Sequence, residues 1–180
     1  MRKFFWMSSL IAIFSFPALA VPYVIDVANS KVGFSVKHVQ ITKVDGVFKD
    51  FTGNIDYDSS TKSINVLEGE IDMASVDTEN EKRDSHLRAP DLLDVKKFPK
   101  MSFVMTKYEA GKIYGDLTIK GVTKPIVLTS TETLNGQLLD IRAQSIIKRS
   151  EFGLEWRNVF KDNIVSDDVE ITLDLKASAK

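Results

Sequence analysis

Apolar residues recur at every second position in segment after segment of this chain, most regularly in the last segment. Val169, Ile171, Leu173, Leu175 and Ala177 fall on one face, and Glu170, Thr172, Asp174 and Lys176 fall on the other. Successive side chains of a β-strand point to opposite sides. A chain built mostly of such segments makes a sheet with one apolar face and one wet face. The apolar face has to be covered by helices, by a second sheet, by lipid, or by the sheet closing on itself. Which cover is available decides what the protein can do.

Turn signals separate the alternating runs. Val32, Phe34, Val36 and His38 share a face and are followed by the turn dipeptide Asp45-Gly46; Phe51, Gly53, Ile55 and Tyr57 share the next. A strand near Ile64 to Met73 comes next, and Met101, Phe103 and Met105 then alternate as far as a turn at Ala110-Gly111. Ile113, Gly115, Leu117 and Ile119 run to a loop at Gly121, and a strand from Ile126 to Leu134 ends in Asn135-Gly136. Asn-Gly is the strongest short hairpin signal, because both residues tolerate a positive φ. Leu139, Ile141, Ala143 and Ile147 lead back, and Val169 to Ala177 completes eight strands joined mostly by short connections.

Two stretches interrupt this meander. Thr78-Glu79-Asn80-Glu81 fits a capping box and predicts a short helix from about Glu79 to Arg88, stopped by Pro90. From Arg149 to Val165, Phe152, Leu154, Trp156, Val159 and Phe160 are too apolar for a solvated loop, so this segment is expected to fold over one end of the sheet. One short, charged helix cannot cover eight strands. A sandwich needs long crossovers where this chain has hairpins. The expected fold is therefore all-β, an eight-stranded antiparallel up-and-down barrel with one short helical insertion, since closure also removes exposed edges. Such a barrel is either filled by its own side chains or holds one small ligand. An outer-membrane barrel alternates in the same way with the opposite polarity; the mixed charges on the wet faces (Asp116, Lys120, Glu170, Asp174, Lys176) argue for apolar residues inside.

The first twenty residues read as an address. Arg2 and Lys3 precede an apolar run from Phe4 to Phe16, and Ala18-Leu19-Ala20 is a small-x-small cleavage site. The run is too short to span a bilayer and no later segment reads as a membrane-spanning helix. Export, cleavage after Ala20 and a periplasmic mature chain, residues 21–180 as one domain, are expected. There is no cysteine, which excludes disulfides, thiol catalysis and cysteine-ligated metals. Loss of Arg2 and Lys3 takes the formal charge from −1 to −3, which gives no reason to expect nucleic acid or an anionic membrane as partner.

Several strings then occur in order: Phe34-Ser35-Val36-Lys37-His38, Gly46-Val47-Phe48, Arg83-Asp84-Ser85-His86-Leu87-Arg88, Phe98-Pro99, Gly115-Asp116-Leu117-Thr118-Ile119-Lys120-Gly121-Val122-Thr123-Lys124 and Arg149-Ser150-Glu151-Phe152-Gly153. Together they resemble the YceI-like family of exported lipocalin-like proteins, across essentially all of the mature chain. The resemblance implies a barrel whose lumen takes a polyisoprenoid or a similar long isoprenoid or fatty amphiphile. It also implies a homodimer and, in some members, a link to stress responses.

Phe34, Val36, Phe51, Met101, Phe103, Met105, Leu117, Ile119, Ile141 and Leu173 are the candidate lumen wall, with His38 as a polar anchor on the same face. The alternative is that they pack on one another in a solid core, with His38 bonded to backbone. Arg83, Asp84, His86 and Arg88 are candidates for a head-group site at the mouth, or else dock the helix, with Asp84 and Arg88 as an i,i+4 pair. Phe152 and Trp156 are candidate mouth residues, or an end-cap. Enzyme signals are poor: His38 and His86 are the only histidines, Ser59-x-x-Lys62 falls in a polar turn, and no glycine-rich phosphate loop is present. No catalysis, cofactor or metal is expected. An interaction module with a filled barrel and a small hydrolase acting on amphiphiles are the competing readings.

Overall fold

The computed structural model describes residues 21–38, 42–155 and 165–180, so the proposed address at 1–20 lies outside the described residues. The long alternating runs form eleven strand segments in one antiparallel sheet. β1 (Val21–Ile25) and β2 (Lys31–His38) are halves of one long strand, broken where Asp26 caps a 3₁₀ turn at Val27–Asn29. β3 (Thr42–Phe48) and β4 (Phe51–Asp58) lie antiparallel to them, with Val32 opposite Phe48 and Tyr23 opposite Ile55. β5 (Ser63–Asp72) and β6 (Val76–Asp77), separated by a 3₁₀ turn at Met73–Ser75, pair with β4 and β3 in turn. β7 (Lys100–Glu109), β8 (Lys112–Ile119), β9 (Val122–Asn135), β10 (Leu138–Lys148) and β11 (Val165–Ala179) follow as uninterrupted strands. Three broken strands and five continuous ones make eight.

The ring closes because β11 is long enough to serve both halves of the first strand. Val169 pairs with Val36 of β2, and Ala179 pairs with Tyr23 of β1. The result is a closed eight-stranded barrel with its aliphatic and aromatic residues inside. Lys43–Glu170, Lys100–Glu70, Lys107–Glu109 and Lys148–Asp168 pair on the exposed outer surface. This polarity is the reverse of a barrel that faces lipid.

The hairpins match their turn chemistry. Ala110-Gly111 and Lys120-Gly121 both take two successive left-handed residues (φ 48° and 75°; 52° and 76°), the geometry a tight hairpin requires. Asn135-Gly136 turns as expected, with Asn135 opposite Leu138. Asp45-Gly46 does not turn: it lies inside β3, where Gly46 faces Phe34 and Asp45 faces Ser35 across the ladder. The helix α1 spans Glu81–Leu87 and begins later than the capping box suggested. Glu79 is left-handed (φ 60°) and cannot open a helix, and Asn80 caps instead, its side chain accepting from the Arg83 N–H at 3.0 Å.

Candidate functional site

The barrel has two unlike halves. The half built from β1, β4 and the start of β5 is filled. Ile55, Ile64, Ile113, Leu139 and Ile141 there have almost no exposure, and Tyr23 and Tyr57 meet edge to face at 6.3 Å. Tyr108, Ser130 and Glu132 satisfy one another within this packing. Glu132, which stands opposite Ile141, accepts from the Tyr108 hydroxyl at 3.0 Å and the Ser130 hydroxyl at 2.5 Å. Burial first, and then the bond to Glu132, push the Tyr108 hydroxyl up to about 12. Burial likewise raises Tyr57.

The other half, between β2, β3 and the ends of β7 to β11, is hollow. Its cavity has a volume of about 220 Å³ measured at water centres, against about 10–15 Å³ for one water by the same measure. Val36, Phe34 and Val44 wall it on one side, Met101, Phe103 and Leu117 on another, and Ile147, Val169 and Leu173 on a third. A volume of this size with a hydrocarbon wall is suited to an apolar chain and hostile to a bare charge.

Among the described residues, two segments roof the hollow end. α1 and the turns after it bring Leu87, Leu92 and Leu93 to the cavity, and the 3₁₀ turn at Arg149–Phe152 (ending on Gly153) brings Leu154. Lys120 ties the segments together by donating to the carbonyls of Pro90 and Gly153 at 3.2 and 3.4 Å. Among the described residues, polar side chains reach the cavity only near this roof. Arg83 donates to the Thr78 hydroxyl at 2.7 Å and the Thr78 carbonyl at 2.6 Å, and the same hydroxyl donates to buried Asp84 at 2.5 Å. Arg149 donates to the carbonyls of Leu154 (2.7 Å) and Ser166 (3.1 Å), fastening its segment to β11. Thr78, Arg83 and Arg149 all line the cavity.

The candidates named from sequence divide between the halves. Phe34, Val36, Met101, Phe103, Leu117, Ile119 and Leu173 line the cavity. Phe51, Met105 and Ile141 do not. Phe51 and Ile141 are buried in the core, and Met105 packs against that core from a partly buried position. His38 ends β2, but its side chain lies outside the described residues, as do Trp156, Val159 and Phe160. Of the four helix candidates, only Arg83 reaches the cavity. Asp84 holds Thr78, His86 meets Asp91 at 3.0 Å, and Arg88 donates to the carbonyls of Ala74 and Val76 instead of pairing with Asp84. Phe152 is buried under the roof. Ile126, Ile147 and Ile171 line the cavity and continue inward faces already visible in the alternation. Leu87 ends the short helix α1, and Leu92, Leu93 and Leu154 lie on short irregular segments with no period to read. Arg149 carried no signal beyond its place in the Arg-Ser-Glu-Phe-Gly string.

Comparison with known proteins adds a family. The YceI-like domain matches residues 23–177. A UPF0312 protein of Photorhabdus laumondii is 38% identical over 119 residues, covering 63% of this chain and 62% of the relative, so the chain matches less than two thirds of that relative's length. Among solved structures, BcnA of Burkholderia cenocepacia superposes with a TM-score of 0.78 at 28% identity, over 86% of this chain and 99% of the other. A polyisoprenoid binding domain from Saccharophagus degradans superposes with a TM-score of 0.68 over 89% and 99%; at 18% identity it shares the fold alone.

Proposed function

The chain belongs to the YceI-like family, and from that premise we propose that it is a binding protein whose barrel cavity takes the tail of a long-chain isoprenoid amphiphile, a quinone or prenyl phosphate being the chemical type. The observation that carries the reading is the cavity itself, a hydrocarbon wall with polar side chains, among the described residues, only at the roofed end. Burial of hydrocarbon is worth about 0.8 kcal/mol per CH₂, so one five-carbon isoprene unit contributes on the order of 4 kcal/mol before ordering costs. A few units suffice for tight binding. The head group then lies near Arg83, the polar residue of α1 that reaches the cavity. The protein named polyisoprenoid binding in Saccharophagus degradans has the same fold, which supports the ligand class.

In this reading residues 1–20 direct export, the mature chain carries or sequesters its ligand in the periplasm, as a homodimer and with no covalent chemistry, and a role in stress follows from protecting or moving such lipids. The test is organic extraction of protein purified from the periplasmic fraction, followed by mass spectrometry. A stoichiometric prenyl amphiphile is expected. Repeated absence of any prenyl or acyl lipid, or retention of the chain in the cytoplasm with its first twenty residues intact, overturns the corresponding part. Sedimentation equilibrium tests the dimer in the same preparation.

A further inference from the structure

We propose that Gly46 and Gly115 set the bore of the cavity, by letting the rings of Phe34 and Phe103 lie back against the wall, and that this width selects methyl-branched chains over straight ones. The inference rests on the lipid-binding reading and deepens it.

Both phenylalanines point inward, and both line the cavity. Standing upright in an eight-stranded barrel, two such rings would fill much of its width. They do not stand upright, because each has a glycine beneath it on the neighbouring strand. A Cβ on Gly46 would come within 2.4 Å of Phe34 Cζ and 2.6 Å of Cε1, and within 2.8 Å of the Thr78 methyl. A Cβ on Gly115 would come within 2.3 Å of Phe103 Cζ and 2.6 Å of Cε2. Carbon atoms rest about 3.5–4.0 Å apart, so each ring occupies the space a side chain would have taken. Neither glycine has a left-handed backbone, in contrast to Gly111, Gly121, Gly136 and Gly153 at the turns and the end of the 3₁₀ segment. What these two positions use is smallness toward the ring, not conformational freedom.

The two seats lie on different walls. One joins β2 and β3 and the other joins β7 and β8, with the β5–β6 strand between them on one side and β9, β10 and β11 on the other. Any atom added at either seat lifts a ring toward the barrel axis and narrows the lumen at that level. A straight polymethylene chain tolerates narrowing better than a chain that carries a methyl group on every fourth carbon.

The experiment compares geranylgeraniol with hexadecan-1-ol. Both have a sixteen-carbon main chain and a hydroxyl head, and they differ in four methyl branches and in unsaturation. Affinities are measured by calorimetry on delipidated full-length mature protein, with far-UV circular dichroism to verify folding. The native protein is expected to prefer geranylgeraniol. Gly46→Ala is the main variant, because the three atoms nearest its Cβ all belong to side chains, whereas a Cβ at Gly115 also meets the Val104 carbonyl oxygen at 2.7 Å. It should weaken geranylgeraniol by about tenfold or more, the scale of a methylene misfit in a hydrophobic pocket, and leave hexadecan-1-ol within about threefold. Adding Phe34→Leu to Gly46→Ala should restore the branched alcohol. Phe34→Trp on the native glycine narrows the bore from the ring side and should reproduce the selective loss, which keeps the test decisive if Gly46→Ala does not fold. Equal losses for both alcohols, or no loss from either narrowing variant, overturns the proposal while leaving lipid binding intact. Native protein that takes up neither alcohol overturns the lipid reading, and this inference with it.

Discussion

The filled and the hollow halves of this barrel are encoded by the same alternation, and nothing in the period distinguishes them. Ile141 on β10 and Leu173 on β11 belong to inward faces of the same kind. One is completely buried in a solid core and the other lines a cavity. The difference is made by volume. In the filled half, tyrosines from β1 and β4 meet edge to face, and a third, on β7, has its hydroxyl taken up by Glu132. In the hollow half, Gly46 and Gly115 leave the space that the rings of Phe34 and Phe103 occupy. Period decides which face is inside, and side-chain bulk at a few positions decides whether the inside is full.

The comparison is broken most severely by placing a charge in each half. Ile141→Arg should abolish folding, because the solid core leaves neither room nor water for a guanidinium and the Glu132 carboxylate opposite is already held by the Tyr108 and Ser130 hydroxyls. Phe103→Arg should yield a folded protein that carries no lipid, since the new side chain can extend through an existing cavity toward the roofed end. Circular dichroism and mass spectrometry of extracted lipid read the two outcomes. An unfolded Phe103→Arg would mean that the hollow half is as solid as the filled one.

Truncation gives a smaller and more graded contrast. Ile141→Ala should cost about 2–5 kcal/mol, the range for a fully buried aliphatic that leaves a new void. Leu173→Ala should cost about half as much in delipidated protein, because the leucine already borders empty space. Denaturant midpoints with and without a saturating prenyl alcohol sharpen the point. Ligand should stabilise the native chain and Ile141→Ala by similar amounts and Leu173→Ala by less.

This division also explains what could be read from the chain alone. Strand number, hairpin sites, barrel closure and most of the cavity wall follow from period two and from Gly-containing turns, both local signals. Phe51 and Ile141 share the inward faces of the cavity wall yet lie in the solid core, because alternation reports the side a residue faces and not its depth along the barrel axis. Asp45-Gly46 has the composition of a turn, yet its glycine serves a cross-strand ring in β3; that use depends on Phe34, twelve positions earlier. The capping box failed for a related reason: Thr78 is held by Asp84 and Arg83, so Asn80 caps α1. Leu87 from the end of α1, and Leu92, Leu93 and Leu154 from short irregular segments, reach the cavity by a placement that only tertiary packing decides.

Tyr108 offers a milder test confined to the filled half. Its hydroxyl is pushed from an ordinary 10 up to about 12, first by burial and then by Glu132. The folded state holds that proton more tightly than the unfolded chain does. The associated stability is therefore complete below about pH 10 and is lost as the pH rises towards about 12. Tyr108→Phe removes the hydrogen bond and should cost on the order of 1 kcal/mol at neutral pH. It should also flatten, without abolishing, the fall in stability above pH 10, since Tyr57 is raised as well. Urea midpoints across pH 9–12 check both effects, and an unchanged alkaline slope would remove Tyr108 from the account. Lipid uptake at neutral pH should not change, because this cluster lies outside the cavity.

The smallest expected effect on stability concerns the roof. Lys120 Nζ reaches the Pro90 and Gly153 carbonyls from an exposed position, so Lys120→Ala should alter stability by less than about 0.5 kcal/mol. Its effect on ligand should be kinetic. The lysine joins the segment after α1 to the segment after β10, the two segments that roof the hollow half among the described residues. Without the link the roof opens more often, and a bound prenyl alcohol should leave several times faster while the denaturant midpoint stays in place. Stopped-flow release into excess lipid acceptor separates the two quantities. A release rate equal to the native one would mean that the tail escapes by another route, through the strands and not past the roof; a lowered midpoint would mean that the roof helps to hold the barrel together as well as to close it.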